Sequence, residues 1–201
     1  KPMGEDIASA KAILELTRKK KMTAAVNFQL RYAPFILEVK KMMADGALGT
    51  INDIEINVNV FTPWHLWDFL FTSPRLEILY HSIHYIDLVR NLLGNPVSVF
   101  AKSTKHPSMQ ELSSVRSNII LDYGELIRAN ILTNHCHNYG TPKQQSYIKI
   151  EGSKGAVIIN FGALINHPRG AADSFEYVLT EDGKESVWKK KDITRRFMPR
   201  K

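Results

Sequence analysis

A chain of 201 residues with 44% hydrophobic and 23% charged residues has the balance of an ordinary globular protein and length enough for a sizeable core. It has no apolar run near the roughly 18–20 residues that cross a bilayer and no charged-then-apolar leader pattern at its start. Its one cysteine, Cys136, excludes an internal disulfide and suits a reducing cytoplasm. The net charge of +7 favours anionic partners. The basic runs at 18–21 and 189–191 lie at segment ends without interleaved aromatics, so they read as solvated clusters and not as a nucleic-acid surface.

Residues 5–21 predict a helix with Ile7, Ala10, Ile13, Leu14 and Thr17 on its inner face, acidic residues first and basic residues last as the macrodipole favours. Residues 23–28 predict a short buried strand, with Asn27, Gln29 and Arg31 bringing polar groups to its C-terminal end. A second helix spans 34–44 and stops at Asp45 and Gly46. The clearest strand is 51–61, where Ile54, Ile56, Val58 and Val60 alternate with Glu55, Asn57 and Asn59, so one face is buried and the other wet. An aromatic loop follows with Phe61, Trp64, His65, Trp67, Phe69 and Phe71, broken by Pro63 and Pro74.

Residues 80–96, YHSIHYIDLVRNLLGNP, read as a helix with Ile83, Ile86, Val89 and Leu93 on an apolar arc. Tyr80, His84, Asp87 and Asn91 share a polar arc, Gly94 caps the end, and Pro96 stops continuation. Beyond it the period becomes two. Strands are predicted at 97–103, 115–123, 126–135, 145–151, 156–161, 175–180 and 185–191, with turn signals at 122–124, 152–155 and 181–183. Helices early and strands late predict an α+β fold: a large, mostly antiparallel open β-sheet with helices packed on one face, in a single domain over 1–201.

The chain contains no G-x-G-x-x-G, hence no dinucleotide-binding βαβ unit, and no G-x-S-x-G. His81 and His84, with His65 nearby, lack a carboxylate motif such as H-E-x-x-H, so no metal site is predicted. His135 and His137 flank Cys136 and read as polar groups of a sheet face. Trp64 and Trp67 read equally as core residues or as walls of a pocket for a sugar ring.

Taken in order, Lys1-Pro2, a helix, N-F-Q-L-R-Y at 27–32, D-G-A-L-G at 45–49 and H-x-x-D-L…G-x-P at His84, Asp87, Leu88, Gly94 and Pro96 resemble the Gfo/Idh/MocA oxidoreductases over essentially the whole chain. That resemblance implies the C-terminal α/β domain of an enzyme whose N-terminal Rossmann domain, absent here, binds NAD or NADP. The chain begins inside the family's E-K-P motif, so it looks like a fragment. The resemblance also implies catalytic roles for Lys1, His84 and Tyr80, with Lys1 touching the cofactor. Tyr80 stands where the family has an Asp, and a phenol carries no charge at neutral pH. Asp87, three residues after His84, is then the candidate negative partner.

Asn27, Arg31, Trp64, His65 and Trp67 are the candidate substrate contacts, since a polyol ring packs on indole and needs directed polar partners. The expected function is hydride transfer to or from a sugar, polyol or sugar derivative in the intact protein, with His84 moving the hydroxyl proton. The competing expectation is a non-catalytic binding or oligomerisation module. Apolar residues on both phases of strands near 118–123, 127–132 and 157–161 predict a homo-oligomer built on the sheet face. Neither a membrane nor a nucleic acid is expected as a partner.

Overall fold

A computed structural model of the chain describes residues 1–162, 174–180 and 184–193. The alternation along β1 (Ile51–Asn59) fixes what each face of the sheet does: Ile54, Ile56 and Val58 are buried, while Glu55, Asn57 and Asn59 on the opposite face are half-buried. β1 lies inside an open eight-stranded sheet with β2 (Ser98–Thr104), β3 (Arg116–Asp122), β4 (Arg128–Asn134), β5 (Gln145–Gly152), β6 (Gly155–Asn160), β7 (Ser174–Leu179) and β8 (Lys189–Lys190), in the order β2-β3-β4-β1-β5-β6-β7-β8. Every neighbouring pair is antiparallel except β1 and β4. A parallel pair needs a long crossover. Here it is everything between residues 59 and 128, and it carries the aromatic loop.

The helices cover one face. α2 (Pro34–Ala44) starts on Pro34, whose missing N–H costs nothing in a first turn, and buries Phe35, Ile36, Val39 and Met42. The aromatic loop is largely irregular, with a 3-10 turn at Trp64–Leu66 and one α-helical turn, α3 (Phe69–Thr72), near its end. The next full helix, α4 (Ile83–Leu93), buries Tyr85, Leu88 and Val89 and ends on Gly94, whose φ of 83° lies in the region that favours glycine. These side chains share one core with Ile54, Ile56, Ile119, Leu121, Ile131, Ile148 and Ile150. Each such side chain contributes about 1.5–3 kcal/mol by burial. A second, smaller core gathers Trp64, Leu70, Leu76, Leu112, Val115 and Cys136 under the aromatic loop. The other sheet face leaves Phe100, Ile120 and Leu132 exposed.

Four sequence expectations change. α1 (Ile7–Lys19) forms, with Asp6 accepting from the Ser9 amide at 2.7 Å, but Ile7, Ile13 and Leu14 are exposed because no described element lies over that stripe. Residues 23–28 are not a strand: a strand needs a ladder partner, and the segment joins no strand of the sheet, with Phe28 N–H turning back to Val26. The helix expected from Tyr80 opens instead with a turn of π-helix, Ile78–Ser82. α4 then faces its core with Tyr85, Leu88 and Val89, leaving Ile83, Ile86 and Leu93 half-buried. The strand expected at 185–191 shrinks to β8, and the turn at 181–183 lies outside the described residues.

Candidate functional site

The π-turn shapes the site. An i→i+5 turn takes one residue more than an α-turn, so residues within it fall off the α4 wheel. Tyr80 and His81 are thereby turned to a cavity of about 450 Å³ whose remaining wall is Lys1, Trp67, Phe69 and Leu70. Tyr80 packs edge-on against Phe69 with ring centres 5.7 Å apart, and its hydroxyl donates to Glu5, which raises the phenol above its ordinary pKa. Burial lowers the Lys1 ammonium. One wall is thus aromatic and one polar.

Behind His81 lies a buried polar group. Its ring stands 4.8 Å from Trp64 and 4.4 Å from His135, centre to centre. His135 Nε2 lies 3.2 Å from Glu77 Oε1, which also accepts from Ser82 Oγ at 2.7 Å, and His135 Nδ1 lies 3.0 Å from Thr62 Oγ1. Burial pushes the Glu77 carboxyl up, but the His135 contact and the hydroxyl bonds more than offset it and leave the group below its ordinary value. An ionised carboxylate only accepts, which assigns a proton to His135 Nε2 and leaves Nδ1 to accept from Thr62, while the second carboxylate oxygen, Glu77 Oε2, is buried without a hydrogen-bond partner among the described residues. His135 and His137 are therefore buried at 1% and 8% exposure, not displayed on a sheet face as the alternation predicted. Both lie past the end of β4, where that alternation has stopped applying.

His84 stands elsewhere. It does not line the cavity; its ring meets Phe28 edge-on at 6.0 Å, and its buried Nδ1 has no hydrogen-bond partner. Burial first, then the positive charge of Lys1, lower its pKa to about 4 against an opposing effect of Asp87. The ring is neutral at pH 7, and it is a weaker base than the unperturbed imidazole the sequence suggested. Asp87 does not reach it as a bonded partner. Arg31 Nε donates to Asp87 Oδ2 at 2.6 Å and its Nη2 donates to the other oxygen, a two-pronged pair that ties the 29–32 turn to α4.

Of the candidate residues, the cavity gathers Lys1, Tyr80 and Trp67. Trp64, at 1% exposure, is a core residue touching His81; His65 and Asn27 are exposed away from the lining; Arg31 is committed to Asp87. Sequence reasoning missed His81, Glu77 and His135. A usable signal existed in Glu77: a carboxylate between Leu76 and Ile78 in an otherwise apolar run, four residues before a histidine. Among the described residues no three His, Cys, Asp or Glu side chains are placed to hold a metal ion, and no helix is long and apolar enough to cross a membrane.

With this geometry in hand, comparison with known proteins is decisive for kinship. Residues 36–158, more than half of the chain, match the family model of the GFO/IDH/MocA C-terminal domain. The chain belongs to the GFO/IDH/MocA family. A curated protein of similar sequence is the uncharacterized oxidoreductase YrbE of Bacillus subtilis (strain 168), 27% identical over 160 residues that cover 78% of this chain and 46% of YrbE. Among solved structures, an oxidoreductase from Agrobacterium radiobacter in complex with NAD+, L-tartaric acid and magnesium superposes with a TM-score of 0.74 at 19% identity, covering 96% of this chain and 53% of that one. The WlbA dehydrogenase of Bordetella pertussis, in complex with NADH and UDP-GlcNAcA, gives a TM-score of 0.66 at 22% identity, covering 80% and 47%. These two likenesses support the fold. The GFO/IDH/MocA chain described here spans about half the length of each of these relatives.

Proposed function

We propose that this chain is the substrate-binding and catalytic-residue-bearing domain of a nicotinamide-dependent oxidoreductase acting on a sugar, polyol or sugar derivative. The observation that carries the reading is the cavity itself: an ammonium, a phenol and an imidazole facing an aromatic wall, in a GFO/IDH/MocA chain. The relatives' bound molecules, a dihydroxy acid and a nucleotide-sugar acid, are polyhydroxylated anions, and a net charge of +7 suits that class.

The cavity has a volume of about 450 Å³, and no glycine turn for a pyrophosphate is in the sequence. The reading therefore assigns dinucleotide binding, and the choice between NAD and NADP, to sequence outside this chain. When bound, the nicotinamide supplies or accepts the hydride. The chain's residues do the rest. Trp67 and Phe69 cover the apolar face of the substrate and Lys1 and Tyr80 hydrogen-bond its hydroxyls, while His84, neutral at pH 7 and outside that lining, takes the proton of a hydroxyl that extends beyond it toward the Lys1 charge. The setting is a reducing cytoplasm, where buried Cys136, raised to about 11 by burial, stays an unreactive thiol.

The test is a dehydrogenase screen of the full-length protein with NAD+ and NADP+ against sugars, polyols and sugar acids. The expected result is turnover that falls about 10²- to 10⁴-fold in His84→Ala. No turnover with any member would leave the non-catalytic module as the better reading.

A further inference from the structure

His84, Lys1 and Tyr80 leave one polar side chain of the cavity without a role, and they leave the carboxylate and imidazole buried behind it unexplained. His81 lines the cavity, and no hydrogen bond to its ring occurs among the described residues. The ring is half-buried, so its unpaired nitrogens are left to whatever occupies the cavity, where an apolar side chain of that size would simply pack on Trp64. The fold nevertheless spends a π-turn to bring the ring there. It also fixes the ring from behind. Trp64 and His135 both meet it edge-on, and His135 is itself pinned between Glu77 and Thr62. Glu77, at 0% exposure, and His135, at 1%, are far more buried than stability alone favours for such groups.

We propose that His81 is a second substrate-contacting imidazole of this cavity, hydrogen-bonding a hydroxyl of a polyhydroxylated ligand, with His135 and Glu77 as the positioning residues that hold its ring. A neutral imidazole offers one donor and one acceptor nitrogen, which is the complement of a hydroxyl and a poor match for a carboxylate. Burial, His135, Lys1 and His84 all hold its pKa well below the ordinary imidazole value, so the neutral form is the one present. The assignment rests on the reading of the cavity as a substrate site, and it adds the residue that recognises the hydroxyl.

Two measurements on the full-length protein test it. The first is the imidazole Hε1 NMR signal of His81, assigned by its disappearance in His81→Gln, followed while xylitol, myo-inositol, gluconate and glucuronate are added in turn. A ligand that moves this signal supports the assignment, and a panel in which none does overturns it. The second is kinetics with whichever member turns over. His81→Gln should lower kcat/KM by about 10- to 100-fold, mostly through KM, the loss expected when a hydroxyl's buried partner is removed. His135→Phe should raise KM in the same direction by a smaller factor and leave cofactor affinity unchanged. A His81→Gln enzyme within twofold of the wild-type kcat/KM would make His81 a packing residue while leaving hydride transfer intact. Absence of turnover in the wild type would remove the hydride-transfer reading, with the NMR signal still deciding for or against His81.

Discussion

Removing the carboxylate of Glu77 is the sharpest perturbation of the buried polar group. Glu77 Oε1 receives the Ser82 hydroxyl at 2.7 Å and lies 3.2 Å from His135 Nε2, with Glu77 fully buried. Hydrogen bonds to a charged acceptor contribute about 1.5–3 kcal/mol each, and unmaking them leaves buried donors without partners. Glu77→Ala takes both and opens a hole, so a loss of about 3–5 kcal/mol is expected. Glu77→Gln keeps the shape and one acceptor, and about 1–3 kcal/mol is expected. Against a total stability of roughly 5–15 kcal/mol the alanine variant is severe. Urea unfolding followed by the fluorescence of Trp64, which packs on this group, gives the loss from the midpoint at unchanged m. The sign with pH follows from the lowered carboxyl: its contribution is present above the ordinary Glu pKa and is lost as pH falls through the folded value. A Glu77→Ala loss below about 1 kcal/mol would refute the claim that this group is buried, ionised and hydrogen-bonded through Oε1.

Because the His84 pKa is lowered to about 4, the unfolded chain binds its proton first, so stability is full above the ordinary imidazole value near 6.5 and falls as pH drops from there toward 4. Discounted for partial exposure, the loss is about 1–2 kcal/mol, and His84→Gln should remove it from the pH profile of Tm; an unchanged profile would assign the drop to other groups. Gly49→Ala should destabilise by about 1–3 kcal/mol, more than Gly46→Ala. Both glycines have positive φ, but a Cβ at 49 would meet Ser153 Oγ at 2.3 Å while one at 46 meets nothing within 4 Å, and equal melting shifts would contradict this. The proposed homo-oligomer rests on Phe100, Ile120 and Leu132, exposed on the open sheet face, so Ile120→Glu with Leu132→Lys should convert it to monomer in sedimentation at micromolar concentration. A wild-type monomer there would count against the interface.

The sheet was legible because a period of two survives in any half-buried strand. Ile54, Ile56 and Val58 against Glu55, Asn57 and Asn59 need no knowledge of their neighbours, and the later strands end within a residue or two of expectation except at 185–191. α2 was equally plain, since Pro34 and Gly46 bracket its pattern. What failed depended on partners that are distant in sequence. Residues 23–28 have the composition of a strand and no ladder to join, and α1 has an apolar stripe with no described surface beneath it. Asp87 was placed beside His84 by spacing, yet its neighbour in space is Arg31, fifty-six residues earlier. The cavity lining was harder to read for a subtler reason. A helical wheel assumes one period throughout, and a single π-turn between Ile78 and Ser82 was enough to put His81 in the cavity in place of His84.

The same turn bears on how the proposed proton transfer is managed. Burial lowers the ammonium of Lys1, and it lowers His81 and His84 too, with Lys1's charge adding to both shifts. Lys1 and His81 line the cavity and His84 lies outside its lining, and the Lys1 charge helps keep both imidazoles uncharged at neutral pH. On the proposed function, a substrate hydroxyl entering there meets the neutral ring of His81 with the Lys1 cation beside it, an arrangement that favours loss of its proton when hydride departs. An anionic substituent on the substrate would reinforce this. It would favour the charged form of Lys1 by direct pairing and ease the burden on the imidazoles, drawing their pKa values back toward the working range. On this reasoning sugar acids should outperform neutral polyols of the same size, and Lys1→Met in the full-length protein should erase that preference while lowering the rate with both.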